Sequence, residues 1–370
     1  MTVDLQPVVD AHLAHGAADP THSSQLAVYV GGELVVDVTV GPGLQPDSLL
    51  PVFSSSKGAA AVVVGLTVQR GLLDLDATVA RYWPEFAANG KADVTVRQLL
   101  SHQAGLTGVD GGFTLDEVLT HDALAARLAA QRPLWRPGAA FLYHGLTIGT
   151  LADELVRRTD GRSIGQVLRE DVTGPRAIDV WLGTPETEDD RVEPFQLPAM
   201  EELMAFIAEL SSADTIDSIG TTSMPHGGVA PVLGSVNEVP YRRAAAPAAS
   251  AFASARGLAR LYAALRHDVG GERVLTDDTI AQLSQLQVQG IELGTGLEAR
   301  FGVLFQKATP PRWSWGSWQA FGHDGAGGSL AICDPMYDVA FGYTVQRLPL
   351  PGGVDQRAVE LTRILRDCLR

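Results

Sequence analysis

What most constrains the fold of this chain is where its strand-like runs fall. QLAVYVGGELVVDVTVG, residues 25 to 41, is two β-rich runs joined by Gly31-Gly32, the pattern of a tight hairpin. Strand-like runs dominate again only from Arg300 onward, as RFGVLFQ, SLAICD and DVAFGYTVQRL. A helix over residues 3 to 15 is expected before the hairpin, and another, VDQRAVELTRILRDCLR, closes the chain. Strands at both ends with a helical middle predict a sheet completed by the two ends of the chain, flanked by helices, with a helical lobe inserted between. The expected division is an α/β domain from residues 1–75 and 250–370 and an all-α lobe from residues 76–249.

Within the middle, LTIGTLADELVRRTDG (146 to 161) is the clearest amphipathic helix, with Gly161 as its stop. AFASARGLARLYAALRH (251 to 267) reads as a second strong helix. Residues 186 to 245 contain acidic and loop-like stretches, ETEDDRVEP and TTSMPHGGVAP, that carry no clear assignment.

Composition excludes several classes of function. The chain has 370 residues, 45% of them hydrophobic, enough to bury a large core. A formal charge of -15 repels phosphate backbones and anionic lipid heads, and no Lys/Arg cluster offsets it, so no nucleic-acid partner is expected. The longest apolar stretch, Ala59 to Leu66, falls far short of the ~20 residues that cross a bilayer. MTVDLQPVVDAHL shows neither a basic n-region nor an apolar h-region, which makes the cytoplasm the expected location. Cys333 and Cys368 form no CxxC and the nine histidines include no HExxH, so neither a metal nor an organic cofactor is expected.

PVFSSSKGAAAVVVGL, residues 51 to 66, places one of only three lysines at the mouth of an apolar helix. Ser54 and Lys57 are three apart, so on a helix their side chains share a face. A serine hydroxyl becomes a useful nucleophile when a neighbouring base takes its proton, and a lysine can do so only when neutral. At a reference pKa of ~10.4, about one amine in 2,500 is neutral at pH 7, so burial against Val52, Phe53 and AAAVVV has to supply the difference. The plainer alternative is a serine-rich cap on a core helix with Lys57 reaching solvent. Ser55 and Ser56 are rival nucleophiles, but neither has a lysine three residues on.

Two further stretches carry chemistry. In WRPGAAFLYHGLTIG (135 to 149), Tyr143 sits between a Pro137-Gly138 turn and a helix start, where a phenol beside a cationic amine could become phenolate and relay protons, or simply pack. FGHDGAGGSLAICDP (321 to 335) is a Gly-rich turn feeding an apolar strand, open to a ligand at the strand edge or an ordinary β-turn.

Taken in order, these elements resemble the three boxes of the serine β-lactamase and penicillin-binding-protein superfamily, S-x-x-K, Y-x-N and K-T-G. GLLDLDATVARYWPEF, VTVRQLLSHQAGL and WRPGAAFLYHGLTIG extend the resemblance to the class C-like esterases known as family VIII carboxylesterases. The resemblance implies a β-lactamase-like fold with an antiparallel sheet flanked by helices. It further implies Ser54 as the acylated nucleophile, Lys57 as the amine beside it, Tyr143 as the second-box tyrosine, and the backbone N–H groups of Ser54 and Ala326 as the oxyanion hole. His323, Asp324 and Gly325 take the third box, with His323 where a lysine would pair with a substrate carboxylate, and Gly145 stands where a β-lactamase has asparagine. Both departures favour a neutral ester over a penicillin. His102 fits a structural position. Trp313, Trp315 and Trp318 would either wall an apolar acyl pocket, with Trp318 in contact with substrate, or pack on a strand. The expected function is ester hydrolysis through an acyl-enzyme on a small-molecule substrate. An amidase, a transacylase, a weak β-lactamase and, from another class, a non-catalytic binding protein are the alternatives; no G-x-S-x-G elbow of a conventional serine esterase is present.

Overall fold

The computed structural model describes residues 4–212, 219–350 and 352–370. Eleven strands form two antiparallel sheets: β1 (Ser24–Val30), β2 (Glu33–Val40), β3 (Leu50–Pro51), β4 (Val180–Trp181), β5 (Phe252–Ala253), β6 (Val288–Ile291), β7 (Glu298–Phe301), β8 (Gln306–Lys307), β9 (Phe321–Asp324), β10 (Leu330–Asp334) and β11 (Val339–Val345). The large sheet runs β2-β1-β11-β10-β9-β8-β7-β6, and the small one β3-β5-β4. The chain's two ends therefore meet where β1 pairs with β11, Ala27 opposite Gly342. The hairpin turns at Gly31 and Gly32, whose φ angles of 59° and 83° suit a type I′ turn.

Alternation along the strands gives each face its own core. Leu26, Val28, Leu330, Ile332, Phe341 and Tyr343 point to a layer built by α1 (Gln6–Ala18) and the C-terminal helix α5 (Gln356–Cys368). Ala27, Ala331 and Ala340 point the other way, toward α2 (Ser56–Gln69) and α4 (Ala255–Ala263). The row Ala27, Gly342 and Ala331 spans three strands, and a Cβ on Gly342 would lie 2.2 Å from the Ala255 carbonyl. Small residues here let α4 lie directly on the sheet.

α2 is apolar on every side, and Ser56 through Thr67 are all buried. It packs between the sheet and the helices that follow, chiefly α3 (Thr147–Asp160), which ends at Gly161 with φ 85° as the sequence predicts. The small sheet matters for what precedes α2: β3 pairs with β5, and the Val52 N–H donates to the Ala251 carbonyl at 2.9 Å. The chain is thus held fast up to the residue before Phe53.

Several expectations shift. Among the described residues the first helix occupies Gln6–Ala18, with a proline in its first turn, against the expected 3 to 15, of which residue 3 lies outside them. The 251 to 267 stretch begins as β5, and its helix starts only after Ser254, whose side chain caps the Gly257 N–H. RFGVLFQ is two short strands, because Val303 and Leu304 give their N–H groups to the Leu283 and Leu100 carbonyls instead of to the sheet. The middle of the chain contains β4. The described part of 186 to 245 is mostly short helical turns, with one longer helix over Met200–Ser212.

Candidate active site

Phe53 has a φ of 46°, a left-handed conformation that strains a bulky residue by roughly 1–3 kcal/mol. Its ring lies edge-on to Phe195 at 5.1 Å and fits against Gly327, where a Cβ would come within 2.3 Å. The sharp turn leaves Ser54 half-buried at the tip of a short 3₁₀ turn that runs into α2. Ser55 and Ser56 are occupied elsewhere. Ser55 Oγ donates to the His323 carbonyl at 3.1 Å and meets Ser329 Oγ, while Ser56 Oγ bonds the Phe53 carbonyl and accepts from the Ala251 N–H.

Lys57 Nζ lies 3.0 Å from Ser54 Oγ and donates to the Ala248 carbonyl at 2.9 Å. The side chain is wholly buried. Burial lowers its pKa to about 7, opposed by the Asp324 carboxylate. Relative to its ordinary value this is a penalty of about 5 kcal/mol against the ammonium form. The amine therefore keeps a lone pair for the serine at neutral pH, and does not snorkel to solvent.

Tyr143 lies across the same cleft, its ring 4.8 Å from Lys57 Nζ. Its hydroxyl hydrogen-bonds with Ser54 and lies 3.5 Å from His323 Nε2. The ring stacks on Phe301 at 5.7 Å. Burial raises the phenol well above its usual pKa, the Ser54 bond opposes this, and the Asp324 and Glu292 carboxylates add to it. The resting group is a phenol, not the phenolate the sequence reading considers, because burial disfavours the charged form.

His323 donates from Nδ1 to the Asp324 carbonyl at 2.7 Å, which leaves Nε2 as an acceptor facing Tyr143. Burial, with Lys57 nearby, lowers its pKa to about 3, so it is neutral. Strand alternation turns Asp324 to the opposite face of β9. There its Oδ2 accepts from Trp313 Nε1 and the Val354 N–H, both at 3.1 Å. It does not face the serine, and the expectation that it contacts substrate is corrected. Gly325 is needed for closeness: a Cβ there would lie 2.3 Å from both the Val52 carbonyl and Ser329 Oγ. Among the described residues, neither the Ser54 nor the Ala326 N–H finds an acceptor, so both are available to an oxyanion.

The tryptophans build no acyl wall. Trp315 is buried in the α1/α5 layer, Trp313 packs beside it, and Trp318 is 76% exposed. The turn carrying Trp318 is anchored by Ser317 to Asp334, at the end of β10 remote from His323. Trp318 as a substrate contact is likewise corrected.

Of the groups that hold Tyr143, sequence reading placed His102 at a structural position and missed Glu292. Glu292 Oε2 accepts the Tyr143 N–H at 3.0 Å, and its other oxygen accepts from Thr295 Oγ1. Nothing in the sequence separates Glu292 from the other 42 acidic residues. His102, with φ 66°, accepts the His144 N–H on Nδ1 and the Leu142 N–H on its carbonyl. His144 in turn donates to the Leu142 carbonyl and accepts the Leu106 N–H. The chain on either side of Tyr143 is thereby clamped. Among the described residues no group of three His, Cys, Asp or Glu side chains could hold a metal ion, and no helix is long and apolar enough to cross a membrane.

The family model described as Beta-lactamase matches residues 6–364. The esterase/beta-lactamase LipL of Mycobacterium tuberculosis (strain ATCC 25618 / H37Rv) is 35% identical over 348 residues, covering 88% of this chain and 77% of that protein. Among solved structures, EstA from Arthrobacter nitroguajacolicus Rue61a is 39% identical with a TM-score of 0.89, covering 98% of this chain and 96% of that one. A family VIII carboxylesterase is 32% identical with a TM-score of 0.87, covering 98% and 97%.

Proposed function

The chain belongs to the Beta-lactamase family, and from that premise we propose that it is a serine hydrolase cleaving carboxylic esters of small molecules through an acyl-enzyme on Ser54. The observation that carries this reading is the 3.0 Å approach of Ser54 Oγ to a buried lysine amine whose pKa is lowered to about 7, so that a large share of it is neutral at pH 7. Ser54 Oγ attacks the acyl carbon as Lys57 Nζ takes its proton. The Ser54 and Ala326 N–H groups hold the oxygen on which charge develops. The ester C–O bond breaks, and the departing alkoxide receives a proton through the Tyr143 phenol, which shares a hydrogen bond with the same serine oxygen. Water then attacks the acyl carbon and gives a proton to the same relay, the bond between Ser54 Oγ and the acyl carbon breaks, the relay returns the proton to Ser54 Oγ, and the acid leaves. His323, neutral at pH 7, offers Nε2 as an acceptor to the phenol and no cation to a substrate carboxylate, which supports a neutral ester as substrate.

The test pairs turnover with labelling. Wild type should hydrolyse a short-chain nitrophenyl ester faster than a chromogenic cephalosporin and gain one fluorophosphonate adduct by intact mass. Ser54→Ala should do neither. Fast turnover of the cephalosporin alone, or an adduct that survives in Ser54→Ala, overturns the reading.

A further inference from the structure

We propose that Met224 determines acyl specificity, standing in the space that a side chain at position 145 would fill and giving the acyl site an apolar wall; the inference rests on the ester-hydrolase reading above. Gly145 follows Tyr143 by two residues. A Cβ built on it would lie 3.1 Å from Met224 Cε and 3.0 Å from the Ser223 carbonyl oxygen. The flank of the site that an amide side chain at position 145 would occupy is thus filled by another part of the chain. A side chain at this position would have to push the Met224 thioether and the Ser223 carbonyl aside by a few tenths of an ångström.

The segment carrying Met224 is seated, not loosely draped. The Met224 N–H donates to the Thr221 carbonyl at 3.2 Å, Ser223 Oγ to the Gly220 carbonyl at 2.9 Å, and Thr222 Oγ1 to the Ile219 carbonyl at 2.7 Å. Two glycines admit it: a Cβ on Gly108 would lie 2.3 Å from the Thr222 carbonyl, and one on Gly220 would lie 2.9 Å from the Gly294 carbonyl. Gly294 in turn meets Leu142, the neighbour of Tyr143. The turn is therefore built into the wall of the cleft.

The chemistry of that wall sets the substrate class. Position 145 has no side chain and position 224 offers a thioether, so neither provides a side-chain donor for the carbonyl of an acylamino group. Tyr143 itself packs on the apolar cluster of Phe141 and Phe301. A methionine adapts to aliphatic chains of varied shape but leaves a desolvated amide carbonyl unpaired. The preferred substrates are esters of plain aliphatic acids, and acids with an amido group next to the acyl carbon are disfavoured.

Two isosteric substrates test this: the nitrophenyl esters of 4-methylpentanoic acid and of N-acetylglycine, each kcat/KM divided by the ester's own hydroxide rate. Wild type should favour the aliphatic ester by roughly ten- to a hundredfold. Met224→Leu should keep that ratio, and Met224→Gln, which places an amide there, should lower it by about tenfold or more. Equal corrected rates in wild type, or a Met224→Gln variant that scales both esters by one factor, overturn the assignment. Turnover of neither ester by wild type overturns the hydrolase reading itself, a result distinct from either of those.

Discussion

The backbone N–H of Tyr143 donates to Glu292 Oε2 at 3.0 Å, joining a residue before α3 to the loop after β6. Burial holds the Glu292 carboxyl above its usual pKa, opposed by its bonds from Tyr143 and Thr295. Glu292→Ala leaves a buried N–H unpaired, at about 1–3 kcal/mol. The expected result is a tenfold or greater loss of kcat with a smaller change in KM, partly restored in Glu292→Gln, which keeps an acceptor oxygen. Steady-state kinetics of the two variants check it.

Activity should fall with acid because Lys57 must be neutral to accept the serine proton. Its folded pKa of about 7 puts the acid limb of kcat/KM there, with roughly tenfold loss per pH unit below it. A profile that stays flat down to about pH 5.5 would exclude Lys57 as the base.

The same group costs the fold stability for as long as it stays protonated. The folded pKa is depressed, so between about 7 and 10.5 the unfolded chain binds more protons, and stability rises with pH across that window. Below pH 7 the full penalty applies. Lys57→Met should abolish turnover yet stabilise the fold by up to a few kcal/mol after loss of the Ala248 bond is subtracted, seen as a rise in melting temperature that is larger at pH 6 than at pH 9.5. Calorimetry at the two pH values reads this directly.

Gly325→Ala would drive a Cβ against the Val52 carbonyl and shift the Ala326 N–H away from the serine. A fall in kcat of about 10²–10³ is expected from a displaced oxyanion donor. Trp318→Ala, at the remote end of the sheet, should leave kcat/KM within about twofold, as surface substitutions do. Parallel assays of the two proteins separate the two ends of β9.

Ser55→Ala should still take one fluorophosphonate label, since Ser55 is bonded to His323 and Ser329 and not to the lysine. The expected cost is a loss of stability of about 1 kcal/mol, read by urea titration.

The local patterns already specified much of this molecule: the Gly31-Gly32 hairpin, the capped end of α3 at Gly161, the wholly apolar α2, and the i, i+3 spacing that brings Ser54 to Lys57. Each depends on neighbours in the chain, through φ preference or helical period, so each can be read without coordinates. The β-lactamase-like fold was legible by another route, through the resemblance of its three boxes to those of a known family. Tertiary structure alone decided which face of β9 Asp324 takes, where the tryptophans go, how Glu292 and His102 clamp Tyr143, and that Met224 fills the place beside Gly145. Those contacts join residues from 11 to 149 positions apart, and packing against other segments, rather than any local preference, determines them. The proton affinity of Lys57 belongs with them, because desolvation depends on everything that surrounds the amine.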